Sequence, residues 1–212
     1  MTDTSDTDPP PTVRDAAGGA APPTQRDHGD DDPAWTLTNL PSALSTAYRI
    51  VKELGAAGAE ADLLLVEHLT SRKRLVAKIY RRGISLNEET VRRIQGAGRD
   101  YVVVIDVAGQ SDGRWYELLE YVEGGSLADL IQREGPRLGT DLVEEVVAEI
   151  APAIDHLHGS GVVHRDLKPA NVLVRTRAPL ALVLAASGLA AVADQAVVFL
   201  PTSRTAAYAA PE

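Results

Sequence analysis

A chain of 212 residues with 44% apolar content has the size and material for one ordinary domain with a sizeable core. Its formal charge of −9 is uneven: residues 1–34 hold eight Asp against Arg14 and Arg26, giving −6 there and leaving −3 for the rest, so no basic stripe points to nucleic acid. The sequence has no cysteine, which excludes disulfide frameworks, thiolate zinc sites and cysteine nucleophiles and suits a cytoplasmic location.

Residues 1–34 combine Pro, Gly, Thr, Ala and Asp with few large apolar side chains, and are expected to form a disordered acidic tail. A partner-binding or phosphorylatable segment through Thr2, Thr4, Ser5 and Thr7 is the alternative. The opening "MTDTSDTDPPP" is acidic where a secretory signal is basic and then apolar, so no cleaved signal is expected. Residues 35–47 read as a lead-in. From Tyr48 come short apolar runs, "YRIVKEL", "ADLLLVEHL", "RLVAKIY", "YVVVIDV" and "RWYELLEYV", each predicted as a strand of a small antiparallel sheet. "SDGR", Ser111 to Arg114, supplies an Asp-Gly hairpin turn between the last two. Between the third and fourth, "SLNEETVRRIQGAG" predicts a short helix with Ser85 and Glu88 as a capping box and Gly96 as its stop.

After Val122 the period shifts to that of a helix. "GGSLADLIQREG" opens with a Ser126/Asp129 cap and closes at Gly135. In "TDLVEEVVAEIAPAIDHLHGSG", Leu142, Val146, Ile150, Ile154 and Leu157 share one face of a longer helix, with a kink expected at Pro152. The uncharged run Pro179 to Ala193, "PLALVLAASGLAAVA", falls short of the roughly twenty residues a membrane span needs and reads as a buried strand, turn and strand. The fold class is therefore α+β, strand-rich over 48–122 and helical over 123–212, without internal repeats.

The string His164-Arg165-Asp166-Leu167-Lys168-Pro169-Ala170-Asn171 carries the chemistry. In-line phosphoryl transfer needs an acceptor for the attacking hydroxyl's proton, a cation near the moving group and an oxygen donor for magnesium. Asp166, Lys168 and Asn171 offer these three on one loop.

That string closely resembles the catalytic loop of eukaryotic-type protein kinases, with Lys168 similar to the serine/threonine branch and its bacterial members. Three further stretches resemble the same family in order: "LVAK" (Leu75 to Lys78), the hinge-like "LLEYVEGGSL" (Leu118 to Leu127), and "TAAYAAPE" (Thr205 to Glu212). The resemblance implies a two-lobe fold, with an N-lobe at 48–122 and a partial helical C-lobe at 123–212. It implies ATP and Mg²⁺ as co-substrate and cofactor, and a protein substrate or a regulatory protein partner. By the same resemblance Asp166 is the base, Lys168 lies on the γ-phosphate, Asn171 binds metal, and His164 and Arg165 are structural members of the loop. Ala77 and Lys78 belong to the ATP site, Lys78 holding the α- and β-phosphates. Leu119 stands as gatekeeper, the backbones of Glu120 and Val122 face adenine, and Glu212 is a structural anchor.

The departures bear on activity. Where the family covers phosphates with G-x-G-x-x-G, this chain has "LGAAGAEADLL": Gly55 fits, Gly58 is off-register, and Ala57, Glu60 and Ala61 take the rest. Glu89 is the expected helix glutamate for Lys78. In "LAASGLA", Ala186 stands where a metal-binding Asp belongs and Ser187 where a Phe belongs, leaving Gly188. Thr202, Ser203 and Thr205 are candidate phosphosites by the resemblance. The chain stops at Glu212, so further helices of the larger lobe are expected to be missing and the Leu142–Leu157 face partly uncovered. Three expectations follow: an ATP-binding serine/threonine kinase with impaired Mg²⁺ binding, a pseudokinase scaffold or regulator, or a decayed kinase fragment.

Overall fold

Alternating apolar residues make strands because period-two side chains put one face on a core and the other elsewhere. The computed structural model describes residues 39–57, 60–135, 139–189 and 191–192, with the backbone alone at 56–57 and 191–192. The chain divides into Met1–Pro33 and Ala34–Glu212, and every described residue belongs to the second unit. The tail expected at 1–34 lies outside the described residues.

A short helix, α1 (Ser42–Ser45), precedes β1 (Tyr48–Ala57), β2 (Ala61–His68) and β3 (Arg74–Tyr80). Helix α2 (Glu88–Gly96) then leads to β4 (Ile105–Ser111) and β5 (Arg114–Glu120). The five strands form one antiparallel sheet in the order β1-β2-β3-β5-β4, so β3 lies in the middle. The predicted hairpin is present. Asp112 (φ 53°) and Gly113 (φ 73°) both take positive φ, the signature of the turn that matches strand twist. The Asp112 carboxylate also accepts from the Ser42 N–H (2.7 Å) and hydroxyl (2.8 Å), tying α1 to that turn.

Two local expectations are corrected. The fourth strand begins at Ile105 instead of Tyr101, because the backbone at 101–103 is engaged elsewhere: the Leu184 N–H donates to Tyr101 (2.8 Å) and the Val103 N–H to Leu184 (2.9 Å). Val102 and Val103 are accordingly buried without alternation. The cap of α2 is Asn87, whose Oδ1 accepts from the Thr90 N–H at 2.9 Å, and not Ser85. An Asn directly before the first helical residue reaches the orphan N–H, which a residue two places earlier does not.

The second half contains α3 (Leu127–Glu134), α4 (Thr140–Gly159), β6 (Val162–Val163), β7 (Val172–Arg177), β8 (Leu180–Leu184) and β9 (Ala191–Val192). The Ser126/Asp129 capping box of α3 is complete. Pro152 lies inside α4. The predicted stripe on α4 faces inward: Leu142, Val146, Ile150 and Ile154 pack, half-buried, on Leu127, Leu130 and the β7–β8 hairpin, and Leu157 is fully buried. The run from Pro179 contains the expected strand, turn and strand as β8 and β9. Among the described residues no helix is long and apolar enough to cross a membrane.

Three apolar clusters organise the unit. One lies on the outer face of the sheet with Leu75, Ala77, Ile79 and Leu118. The second joins the inner face, through Val76, Tyr80 and Leu119, to α2, Val162 and Val183. The third fixes α3 and α4 on β7 and β8. Burying a large aliphatic side chain is worth about 1.5–3 kcal/mol, so the inner cluster holds the two halves in register around the site.

Candidate functional site

The loop between β6 and β7 is organised by its own polar groups. Asn171 Nδ2 donates to both the Asp166 carbonyl and Asp166 Oδ2, each at 2.8 Å. Lys168 Nζ sits 2.8 Å from the same Oδ2. A turn of 3₁₀ helix, Pro169–Asn171, closes the loop as the Asn171 N–H donates to the Lys168 carbonyl at 2.9 Å. Arg165 takes φ 64°, a left-handed conformation costly for a side-chain-bearing residue, and is exposed. His164 is buried, and its Nδ1 accepts from the Asp166 N–H at 3.3 Å. Burial depresses its imidazole below the usual histidine range against the opposing pull of Asp166. Asp166, Lys168 and Asn171 are thus brought together, with Asp166 44% exposed and open to a hydroxyl.

Above this loop stands Lys78 on the inner face of β3. Desolvation lowers its pKa, opposed by Glu117, Glu60 and Asp166. Its Nζ lies 5.0 Å from the Tyr80 ring centre. Glu117 is directly opposite Lys78 in the β3–β5 register and has no exposed surface. Its Oε2 accepts from the Tyr80 hydroxyl at 2.6 Å and its Oε1 from the Gly188 N–H at 2.9 Å. Burial, with Glu117 adding to it, holds the Tyr80 phenol far above its usual range.

The connection after β5 joins the halves. The Glu120 N–H donates to the Val104 carbonyl at 2.9 Å, and its carboxylate accepts from Arg175 of β7 at 2.8 and 2.9 Å and from Arg99 at 3.2 Å. Val122 is buried in the inner cluster. The Val174 N–H donates to the Gly125 carbonyl at 2.9 Å. A Cβ on Gly124 would sit 2.0 Å from the Val174 carbonyl oxygen, so only glycine allows this approach.

A five-stranded sheet over a helical half, joined by this hinge above a loop carrying Asp166, Lys168 and Asn171, agrees with what comparison finds: the protein kinase domain family matches residues 48–212. The chain belongs to the protein kinase family. Among similar proteins, the serine/threonine-protein kinase pkn3 of Myxococcus xanthus is 31% identical over 138 residues, covering 61% of this chain and 25% of that protein. The probable serine/threonine-protein kinase PknB of Lactococcus lactis is 34% identical over 135 residues, covering 60% of this chain and 21% of that protein. PrkC of Bacillus subtilis, a serine/threonine-protein kinase, is 29% identical over 138 residues, 62% of this chain and 21% of that protein. The matched stretch spans a quarter or less of these relatives' length.

Within this kinase fold two expected residues stand elsewhere. Ala77 fills the outer cluster with Leu75 and Ile79, because neighbours on a strand point to opposite faces; Val76, two residues before Lys78, shares the lysine's face. Glu89, 41% exposed, is held by Arg92 at 2.8 Å and Arg93 at 2.9 Å and does not reach Lys78. At the start of α2 its i,i+3 and i,i+4 arginines are nearer than the sheet. Gly55 takes φ 104° at a register shift of β1, a conformation that favours glycine. Gly58, Glu212 and the candidate phosphosites Thr202, Ser203 and Thr205 lie outside the described residues.

The kinase family generally uses ATP and Mg²⁺, but the donor set here does not fit magnesium well. The Ala185 N–H donates to the Asn171 carbonyl at 2.8 Å, which sets Ala186 beside the loop. Ala186 is buried and offers a methyl where an oxygen is needed. Asn171 retains one amide oxygen, and Asp166 Oδ2 is already held by Lys168 and Asn171. Near-octahedral oxygen coordination requires more than this. Among the described residues no group of three or more acidic or histidine side chains could hold a metal ion.

Proposed function

We propose that this chain is a nucleotide-binding serine/threonine protein kinase domain whose phosphoryl transfer is weakened at Ala186. The observation that carries the reading is the joint positioning of Asp166, Lys168 and Asn171 by contacts of 2.8 Å on one partly exposed loop. Asp166 Oδ1 accepts the proton of a Ser or Thr hydroxyl on a protein substrate as that oxygen bonds to the γ-phosphorus. The bond from phosphorus to the β,γ-bridging oxygen breaks and ADP departs. Lys168 offsets negative charge on the moving group, and Asn171 fixes the Asp166 carboxylate for the proton. Lys78 faces the α- and β-phosphates, and the carbonyl of Glu120 with the backbone of Val122 faces the base. Val76 takes the packing position assigned by sequence to Ala77.

A second reading, a pseudokinase that binds nucleotide and a regulatory protein partner without transfer, is favoured by the buried Ala186 methyl. The test is transfer from γ-labelled ATP, with Mg²⁺ or Mn²⁺, to the chain and to a generic Ser/Thr substrate beside an Asp166→Asn control. Slow transfer that vanishes in the control supports the kinase reading. Nucleotide binding without transfer supports the pseudokinase. A preparation that neither folds nor binds nucleotide overturns both and supports decay.

A further inference from the structure

We infer that Glu117 on β5 is the acidic positioning partner of Lys78, in place of a carboxylate from α2, and that the same side chain anchors Gly188 to the sheet. The inference deepens the proposed nucleotide site and rests on that reading for its functional meaning.

The geometry excludes the helix. The residues α2 buries are Thr90, Val91 and Ile94, and the Thr90 hydroxyl oxygen has no hydrogen-bond partner among the described residues. Its two acidic residues lie in the first turn, Glu88 exposed and Glu89 held by arginines. Glu117 differs from Glu89 in place and in burial. It shares the inner face with Lys78, sits opposite it in register and is wholly withdrawn from water, where a charge acts strongly on its neighbours. Its two oxygens are fixed in direction by Tyr80 and Gly188.

The second half of the inference follows from Gly188. Its N–H is held by Glu117, while its carbonyl accepts from the N–H of Asn87, the cap of α2, at 3.1 Å. A Cβ there would lie 2.7 Å from Val91 Cγ2 and 3.1 Å from Leu86 Cβ. Sheet, helix and the Ala186–Gly188 segment therefore meet at one residue. In this arrangement the lysine is set by the sheet itself and does not wait on a movement of α2.

The groups that face Lys78 are Glu117 of β5, Glu60 before β2, Asp166 and Lys168 of the loop, and Tyr80 of its own strand. The sequence holds four lysines, so the ε-CH2 signals of isotope-labelled lysine are assignable with a Lys78→Arg variant. The experiment follows the Lys78 signal against pH in the full chain, in Glu117→Gln and in Glu89→Gln, and separately measures binding of a fluorescent ATP analogue. Gln at 117 removes the charge and keeps one acceptor oxygen for the Gly188 N–H, while its amide nitrogen donates to the Tyr80 phenol oxygen, reversing the direction of that hydrogen bond. The expected result is a Lys78 midpoint lower by about one pH unit or more in Glu117→Gln, with ATP-analogue affinity reduced about tenfold near neutral pH, and no change in Glu89→Gln. An unchanged midpoint in a folded Glu117→Gln, or a lowered one in the surface variant Glu89→Gln, overturns the inference. Absence of analogue binding in the unmodified chain counts against the nucleotide reading alone, because the titration still decides which carboxylate faces Lys78.

Discussion

The loop at 164–171 and the segment at 186–188 lie side by side, joined by the Ala185 to Asn171 hydrogen bond of 2.8 Å, and they keep different things. The first keeps reactive groups on an open surface, where Asp166 is 44% exposed. The second lacks the carboxylate and the phenyl ring that its family motif carries, yet Gly188 remains, at a point where any side chain would strike Val91. The comparison teaches that a partly legible motif reports two separate demands. Chemistry asks for particular polar atoms, whereas packing asks for a particular absence of atoms. Here the polar atoms are kept at one loop and dropped at the other, while the packing demand is met at Gly188.

Restoring the missing donor gives the largest expected effect. Ala186→Asp is expected to raise Mg²⁺-dependent transfer from γ-labelled ATP by about 100-fold, the scale of one preorganised electrostatic group. Because position 186 is buried among apolar side chains, the variant is also expected to lose some stability by thermal melting. An unchanged rate in a folded variant would show that the two loops differ in more than one donor.

Gly188→Ala tests the packing side of the comparison. Its methyl overlaps Val91 and Leu86, and a loss of about 1–3 kcal/mol by denaturant unfolding is expected, with a lowered Tm. A neutral result would show that α2 gives way easily and that the glycine is not required by packing.

The smallest expected effect concerns the hinge. Burial raises the Glu120 pKa, but Arg175 and Arg99 outweigh it, so the net shift is downward from 4.5. A carboxylate with a depressed folded pKa adds stability above its unfolded value of 4.5, and that addition is lost as pH falls through the lower folded value. Glu120→Gln is therefore expected to melt lower than the unmodified chain near neutral pH, with the gap closing as the solution is acidified below 4.5 and through the lower folded value. A gap that persists in acid would assign the effect to shape instead of charge.

Much of the fold was legible because it depends on local patterns. Alternation marked the strands, the Asp112-Gly113 turn marked the hairpin, and Ser126 with Asp129 marked the start of α3. The fourth strand was misjudged because an unbroken run such as Tyr101–Ile105 has no alternation, and its backbone partners come from β8, far along the chain. At the site, Asp166, Lys168 and Asn171 were readable as a string because they lie within one loop. Ala77 was misassigned although strand parity alone favours Val76. Glu117 had one available signal, a charged residue in the middle of an apolar strand, which only burial could explain.

What the sequence by itself determined is therefore the local part: the elements, the family, and the grouping of Asp166, Lys168 and Asn171 on one loop. Only the tertiary structure decided which acid stands against Lys78 and why Gly188 carries no side chain. Both questions concern residues far apart in sequence, and the answer depends on strand register and on the room left where sheet and helix meet.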